Sequence, residues 1–205
     1  MVPEAPLEQT DAGLRPQDDG WFVLNAREAV WRESEGRGFS TVFEGEPPFS
    51  ELGVQLVTLA PGQPLSMYHW EADQEDFLLL SGEAILIIEG EERPLRAWDF
   101  VHCPPEAKHT IVGAGEERCI VLAVGARDKS TGPGWGGYTV DDAAIRHGAG
   151  VEHETSNPRE AYERFGERRP TAYREGCSRA SLLGVVRGQI RGWVPGRPDH
   201  VDDSA

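Results

Sequence analysis

The most regular pattern in the chain is a series of short apolar segments separated by turns that are rich in Gly and Pro. Short strands that recur about every 8–12 residues are typical of an all-β barrel or sandwich. Helical periodicity is absent from this part of the chain, so the pattern predicts an all-β fold. The segments occupy 53–60, 75–80, 84–89, 93–95, 98–103, 108–112 and 118–125.

The sequence on either side of these segments has a different composition and indicates how the chain is divided. The first 20 residues are rich in Pro, Asp, Glu and Gly and lack periodicity, which predicts a flexible arm. A Gly-rich run that begins at residue 128 favours a linker. We therefore expect an N-terminal arm at 1–20, the β domain at 21–127, a linker with a short helical extension at 128–194, and a disordered tail at 195–205.

Two short helices are predicted in the extension from their end signals. The first spans 141–148 and is capped by Asp141 or Asp142. The second spans 157–166 and is capped by Asn157, with a proline in the first helical position.

The apolar strands have no obvious polar face. If Glu75 faces inward, Phe77 and Leu79 do too, which leaves Leu78 and Leu80 on the outside. An antiparallel sheet with one solvated face alternates apolar and polar residues, so this outer wall needs a cover. A second sheet, the extension helices or a second subunit could provide it, and we expect a homodimer.

Charge and hydropathy exclude several classes of partner. The formal net charge is −15 and no basic patch interrupts it, which argues against binding to nucleic acid or to an anionic membrane. The apolar runs are far shorter than the roughly 18 residues that a membrane helix needs. The chain starts without the charged and apolar regions of an export signal, and its three cysteines are widely spaced. These features favour a cytoplasmic protein of one domain.

The segment 68-YHWEADQED-76 concentrates groups that bind metals. In a strand, His69 and Glu71 project from one face, and Glu75 opens the next apolar strand. His109, further along the chain, supplies a second imidazole. Two imidazoles with two carboxylates suit a first-row divalent ion such as Fe, Mn, Zn or Ni, although a histidine among acids is also common on a solvated surface.

These residues carry a resemblance to the cupin superfamily. The first cupin motif combines Gly, a His-x-His pair, Glu and a closing Gly. This chain resembles it at Gly62, 69-HWE-71, Glu75 and Gly82, and its 98–113 segment is similar to the second motif, with Pro104 and His109 in place. Glu106 and Gly113 stand where the second motif has Gly and Asn, and Glu71 stands where the first motif has its second histidine.

The resemblance implies a small single-domain, jelly-roll-like antiparallel β-barrel that holds one divalent transition metal. The matching positions assign His69, Glu75 and His109 as ligands, and Glu71 follows by position. A set of two histidines and two carboxylates brings the bound ion closer to neutrality than the usual set and favours Mn(II) or Fe(II). Glu71 is alternatively a free general base beside the metal.

Function stays open between three classes at this point. The first is an enzyme that acts on a small organic molecule by oxygen-dependent oxidation or isomerisation. The second is a module that binds or senses a small molecule and uses the metal as an anchor. The third is a structural protein with a degenerate site. No catalytic residue is assigned, because folds of this kind serve many activities.

Overall fold

The computed structural model describes residues 1–129 and 134–174, and it confirms a fold dominated by antiparallel strands with few, short helices. The first part of the chain contains β1 (Leu7–Thr10), β2 (Gly13–Pro16), β3 (Val30–Glu33), β4 (Phe39–Val42), β5 (Leu52–Leu59), β6 (His69–Glu71) and β7 (Glu75–Ser81). The second part contains β8 (Glu83–Ile88), β9 (Glu91–Arg96), β10 (Phe100–Cys103), β11 (His109–Ala114), β12 (Cys119–Ala126), β13 (Gly136–Tyr138), α1 (Asp142–Arg146), α2 (Pro158–Ala161) and β14 (Arg169–Thr171). Residues 175–205, which include the predicted tail, lie outside the described residues.

Two large sheets form the domain. One has the strand order β10-β7-β12-β5-β4-β3-β14 and the other the order β13-β6-β11-β8-β9. The expected antiparallel all-β fold is confirmed, but the sheets are not closed into the expected barrel, because no strand ladder joins them in the described part of the chain. A pattern of short strands fits a sandwich and a barrel equally well, since closure depends on pairing between strands that are distant in sequence.

The core lies between the two sheets and follows the strand alternation. Phe77 and Leu79 of β7 are buried together with Val121 of β12 and Leu86 and Ile111 of the facing sheet. Burying such side chains contributes about 1.5–3 kcal/mol each, which fixes the register of every strand that supplies one. The same registers determine which residues at the strand ends meet.

The N-terminal 20 residues, for which we expected a flexible arm, contain a hairpin. β1 and β2 pair from Leu7 with Pro16 to Thr10 with Gly13. The Thr10 hydroxyl donates to the Gly13 carbonyl at 2.7 Å, and Gly13 has a φ of 133°, which suits glycine. The hairpin also bridges to the body of the domain, through Leu14 with Ala29. Composition alone missed it, because its strands are short and only half-buried.

The Gly-rich connection after residue 128, which we interpreted as a linker, contributes a strand. β13 pairs with β6, with Gly136 opposite Glu71 and Tyr138 opposite His69. A Cβ atom on Gly136 would lie 2.3 Å from the Trp70 carbonyl oxygen. Glycine is required at position 136 because two backbones approach closely there. This glycine therefore serves strand pairing.

The two predicted helices are present but shorter than expected. Asp141 caps α1 by accepting a hydrogen bond from the Ala144 amide, and Asn157 caps α2. The alanines of α1 pack on Tyr68, Ile87 and Val112, which lie on the outer face of the five-stranded sheet. The extension therefore provides the cover that this sheet needs. Across the described residues, the helices are too short to cross a membrane.

The outer face of the seven-stranded sheet carries an apolar row. Phe100 pairs with Leu78, Leu78 with Leu122, and Leu122 with Leu56, so the row crosses four strands. Three of these side chains are half-buried and Phe100 is 65% exposed. Among the described residues, both helices pack in clusters with residues of the other sheet or its edge. The homodimer stays a prediction, and this row is the surface that fits it.

We predict that Leu122→Glu converts the dimer into a monomer, because a buried carboxylate without a partner opposes association. Light scattering at micromolar concentration measures the mass of each variant. Val23→Glu places the same charge on a side chain that is 82% exposed and should leave the dimer intact. A monomeric parent protein would contradict the prediction.

Candidate metal centre

The two histidines of the candidate site are neighbours across one sheet. His109 begins β11 and pairs with His69, which begins β6. Their ring centroids lie 5.1 Å apart, a separation expected for side chains on the same face of adjacent strands. Both residues are buried, with His109 only 2% exposed. The sheet thus presents two imidazoles to the interior.

Glu75 faces these histidines from the other sheet. It begins β7, which pairs with β10 and β12, so the three-residue link from β6 carries the chain between sheets. The Glu75 Oε2 atom lies 3.1 Å from His109 Nε2 and 3.4 Å from His69 Nε2. The site is therefore built where the two sheets face each other.

Backbone carbonyls fix both imidazole rings. His69 Nδ1 lies 2.9 Å from the Met67 carbonyl oxygen, and His109 Nδ1 lies 3.0 Å from that of Ala107. A carbonyl oxygen only accepts hydrogen bonds, so each Nδ1 carries the hydrogen and each Nε2 points to Glu75. Histidines that bind metals usually have this support, which orients the ring and raises its basicity.

The charges in the site favour a cation. Burial opposes a charged His69, but the nearby carboxylates of Glu71 and Glu75 outweigh it and raise the pKa to about 9. Burial also opposes a charged His109, while contacts with Cys103 and Glu75 raise its pKa to about 9. Burial acts against the Glu75 carboxylate too, yet His109 and His69 lower its pKa to about 2. Glu75 is thus an anion at neutral pH, and its field stabilises positive charge between the rings.

The same three residues fit a divalent ion. One ligand atom from each of His69, Glu75 and His109 lies within 4.8 Å of the others. Glu75 Oε2 and His109 Nε2 are buried without a hydrogen-bond partner, since their 3.1 Å approach lacks the angle of a hydrogen bond. Leaving such atoms unsatisfied costs about 1–3 kcal/mol each. A metal ion that displaced the Nε2 proton and accepted a lone pair from each atom would remove this cost.

Glu71 lies beside the cluster. Its Oε1 atom is 3.4 Å from His69 Nε2, which agrees with the shared strand face. Glu71 is nevertheless not one of the three residues whose ligand atoms converge. Its role as a fourth ligand stays a prediction. Its side chain is more exposed than those of both histidines, and its alternative role as a free general base likewise stays a prediction.

A cavity of about 1040 Å³ adjoins the site and is lined by both Glu71 and Glu75. Its wall follows the seven-stranded sheet from β7 through β12, β5 and β4 to β3, and it includes the turn of the N-terminal hairpin at Asp11. Binding sites for small molecules usually measure about 300–1,000 Å³. The carboxylates therefore open into a space that can hold a small organic molecule.

Several supporting groups were not predicted from the sequence. The Met67 and Ala107 carbonyls each lie two residues before the histidine that they orient. The ring of Tyr138 on β13 packs against that of His69, with the centroids 5.8 Å apart and the planes tilted by 30°. The Gly-rich run at residues 132–137 was a usable signal for this close approach, whereas backbone carbonyls leave no trace in a sequence.

Comparison with known proteins identifies the segment that carries the site. Residues 55–125 match the family model described as the cupin domain. This match contains His69, Glu71, Glu75 and His109. No match is found among curated proteins.

Three solved structures are similar to parts of the chain. A proposed sugar phosphate isomerase of Acidithiobacillus ferrooxidans is 32% identical, with 38% of this chain and 51% of that chain covered and a TM-score of 0.37. A cupin-superfamily sugar phosphate isomerase of Silicibacter pomeroyi is 26% identical, with 45% and 60% covered and a TM-score of 0.41. A Cupin 2 conserved barrel domain protein of Salinispora arenicola is 21% identical, with 54% and 92% covered and a TM-score of 0.44. The chain thus spans only 51% and 60% of the two isomerase chains.

We predict one divalent ion per chain, held by the converging side chains. Replacing His69 and His109 by Ala should weaken Mn(II) binding by at least about 100-fold, more than is usual for residues that only support a ligand. Elemental analysis and metal titration measure this. His147→Ala is the control, because His147 pairs with Glu92 at 3.0 Å on the surface. Full binding by the double variant would contradict the assignment.

Metal affinity should rise with pH. Because the pKa values of His69 and His109 are raised to about 9, both rings hold a proton on Nε2 at neutral pH that a metal ion must displace. Between about pH 6 and pH 8, the affinity should increase by about tenfold per pH unit for each proton displaced. Titration with Mn(II) across this range tests it, with His102→Ala as a control that keeps the same slope. A flat profile would contradict proton competition.

Proposed function

We propose that this chain, whose residues 55–125 form a cupin domain, is a metal-dependent enzyme that acts on a small organic molecule. One observation supports this most directly: Glu71 and Glu75 line a cavity of about 1040 Å³. A metal needed only for structural support does not require an adjoining space of this size. A molecule in the cavity would lie against the open side of the metal site.

Within this proposal, His69, Glu75 and His109 hold the ion and Glu71 moves a proton. A divalent ion at these ligands supplies Lewis acidity, which polarises a carbonyl or hydroxyl group of the substrate. The Met67 and Ala107 carbonyls keep both Nε2 atoms directed at Glu75, where these residues would hold the ion. Glu71 Oε1, 3.4 Å from His69 Nε2, is placed to accept a proton from carbon or oxygen next to the polarised group. Returning that proton to a neighbouring atom completes an isomerisation.

Oxygen-dependent oxidation is the second candidate, and the donor set favours it. Two histidines and one carboxylate form the ligand set of many non-haem Fe(II) oxygenases, which leave further positions open. This activity requires Fe(II) and consumes oxygen, whereas isomerisation proceeds with Mn(II) or Zn(II) under anaerobic conditions. The choice of metal and of atmosphere therefore separates the two reactions.

We predict that Glu71→Gln keeps Mn(II) affinity within about twofold and lowers turnover by about 10²- to 10⁴-fold, because the amide cannot accept the proton. Deuterium uptake by small hydroxycarbonyl compounds in D₂O, followed by NMR, measures turnover. Oxygen uptake after Fe(II) loading is measured in parallel.

Glu71→Asp is the matched variant, since it keeps the carboxylate and should retain part of the activity. A tenfold or greater loss of metal affinity in Glu71→Gln would instead assign Glu71 as a ligand. If neither exchange nor oxygen uptake occurs with the loaded parent, the remaining function is binding or sensing of a small molecule.

A further inference from the structure

Two arginines stand in the wall of the cavity that holds the metal-site carboxylates. Arg32 lies on β3, and Arg168 immediately precedes β14, which pairs with β3. Their backbones are neighbours because Pro170 is the register partner of Arg32. Both side chains are exposed, so their guanidinium groups are accessible from the cavity. The sheet thus brings two positive groups to one part of the wall.

Within the described ranges, neither arginine has an ion-pair partner for its charge. Among residues 1–129 and 134–174, no ion pair or hydrogen bond involves the side chain of Arg32 or Arg168. Other arginines of the wall differ: Arg127 binds both oxygens of Glu44 at 2.8 and 2.9 Å, and Arg15 approaches Glu8 at 3.8 Å. The chain has 35 acidic and 20 basic residues, so positive groups without a carboxylate are unexpected.

Further positive charge surrounds Arg168. Crowding by the protein lowers its pKa to about 10 even though part of the side chain is accessible, and the charges of Arg37 and Arg32 add repulsion. Arg37 does not line the cavity; its guanidinium lies 4.1 Å from the centre of the Tyr162 ring. Gathering three like charges costs free energy, which an anion placed between them recovers.

The acidic residues of the cavity do not neutralise this region. Asp11 and Glu46 also line the wall, but in the described ranges neither forms an ion pair with an arginine. Glu71 and Glu75 face His69 and His109 at 3.1 to 3.4 Å, so imidazoles lie next to these two carboxylates. The cavity therefore has a metal end and an end rich in free guanidinium groups.

The sheet order separates these two ends. Glu75 begins β7, and Arg32 lies on β3, four strands further along the same sheet. Strands lie about 4.8 Å apart, so the path along the sheet is at most roughly 19 Å and is shorter where the sheet curls. A single small anion cannot touch both ends, whereas an elongated molecule can.

We propose that the substrate carries a terminal anionic group, a carboxylate or a phosphate, which Arg32 and Arg168 bind while the rest of the molecule extends to the metal end. This inference rests on the proposed function, which makes the bound molecule a substrate. Guanidinium groups suit both anions because their planar donors match two oxygens at once. An anionic anchor far from the reacting atoms fixes the orientation of the substrate.

The test measures anion binding without the metal, so that its outcome is independent of catalysis. Full-length protein is stripped of metal, kept in chelating-resin-treated buffer of low ionic strength, and titrated calorimetrically with inorganic phosphate or with succinate. We expect saturable binding of at least one anion, weakened about tenfold or more in Arg32→Gln and in Arg168→Gln. The anion that binds more tightly identifies a phosphate or a carboxylate as the group recognised.

Two kinds of control keep the result decisive. Arg93→Gln removes the same charge from an exposed arginine that pairs with Glu91, and it should bind anions as the parent does. Arg168→Lys keeps the charge but loses the bidentate geometry of the guanidinium group. It should therefore lose part of the affinity for the anion. Thermal unfolding and Mn(II) titration verify that each variant keeps its fold and its metal site.

The contradicting outcomes are distinct from failure of the enzymatic proposal. No saturable binding of either anion by the parent, equal binding by the Gln variants, or an equal loss in Arg93→Gln would each overturn the anion site. In those cases, the measurements of metal binding and turnover would still stand. Conversely, anion binding lost in both Gln variants supports the site even if the turnover screen finds no reaction.

Discussion

The site depends on one electrostatic constraint: a buried carboxylate from one sheet must face two imidazoles from the other. Glu75 lies 3.1 and 3.4 Å from the Nε2 atoms of His109 and His69, and the three groups begin three different strands. A buried carboxylate without compensating charge would be strongly destabilising. The two sheets are thus held in a fixed relation at this point, because separating them would leave these groups without partners. Packing of the core above the site provides the rigidity that keeps the ligand atoms convergent.

Rigid support of this kind also determines the chemistry that the site can perform. Each imidazole is oriented by a carbonyl two residues earlier in the chain, so ring orientation follows from local backbone geometry. Glu71 has no such support among the contacts of the site, and it borders the cavity. In the proposed function, the fixed residues would bind the ion and the more accessible carboxylate would transfer protons. That separation is a common requirement for acid and base catalysis beside a metal.

The sequence predicted the parts of this structure that depend on short-range pattern. The strands from β5 and β7 through β12 agree with the apolar segments to within two or three residues, and both helix caps were identified. The placement of Glu75 opposite the histidines was expected, but its origin in the other sheet was not, because a three-residue link gives no sign of a change of sheet. β3, β4 and β14 were missed since they are short and lack alternation. Arg32 and Arg168 are 136 positions apart, and only the pairing of β14 with β3 makes them neighbours.

Strand β13 has a consequence for what counts as the structural unit of this protein. β6 is only three residues long and carries His69, and β13 shields one of its edges while β11 pairs with the other. The segment that matches the cupin family ends at residue 125, before this shield begins. A fragment trimmed to the family match would leave the histidine strand with an open edge, free to pair with other chains. The folding unit is therefore longer than the segment that matches the family, and Gly136 marks where the additional strand pairs with β6.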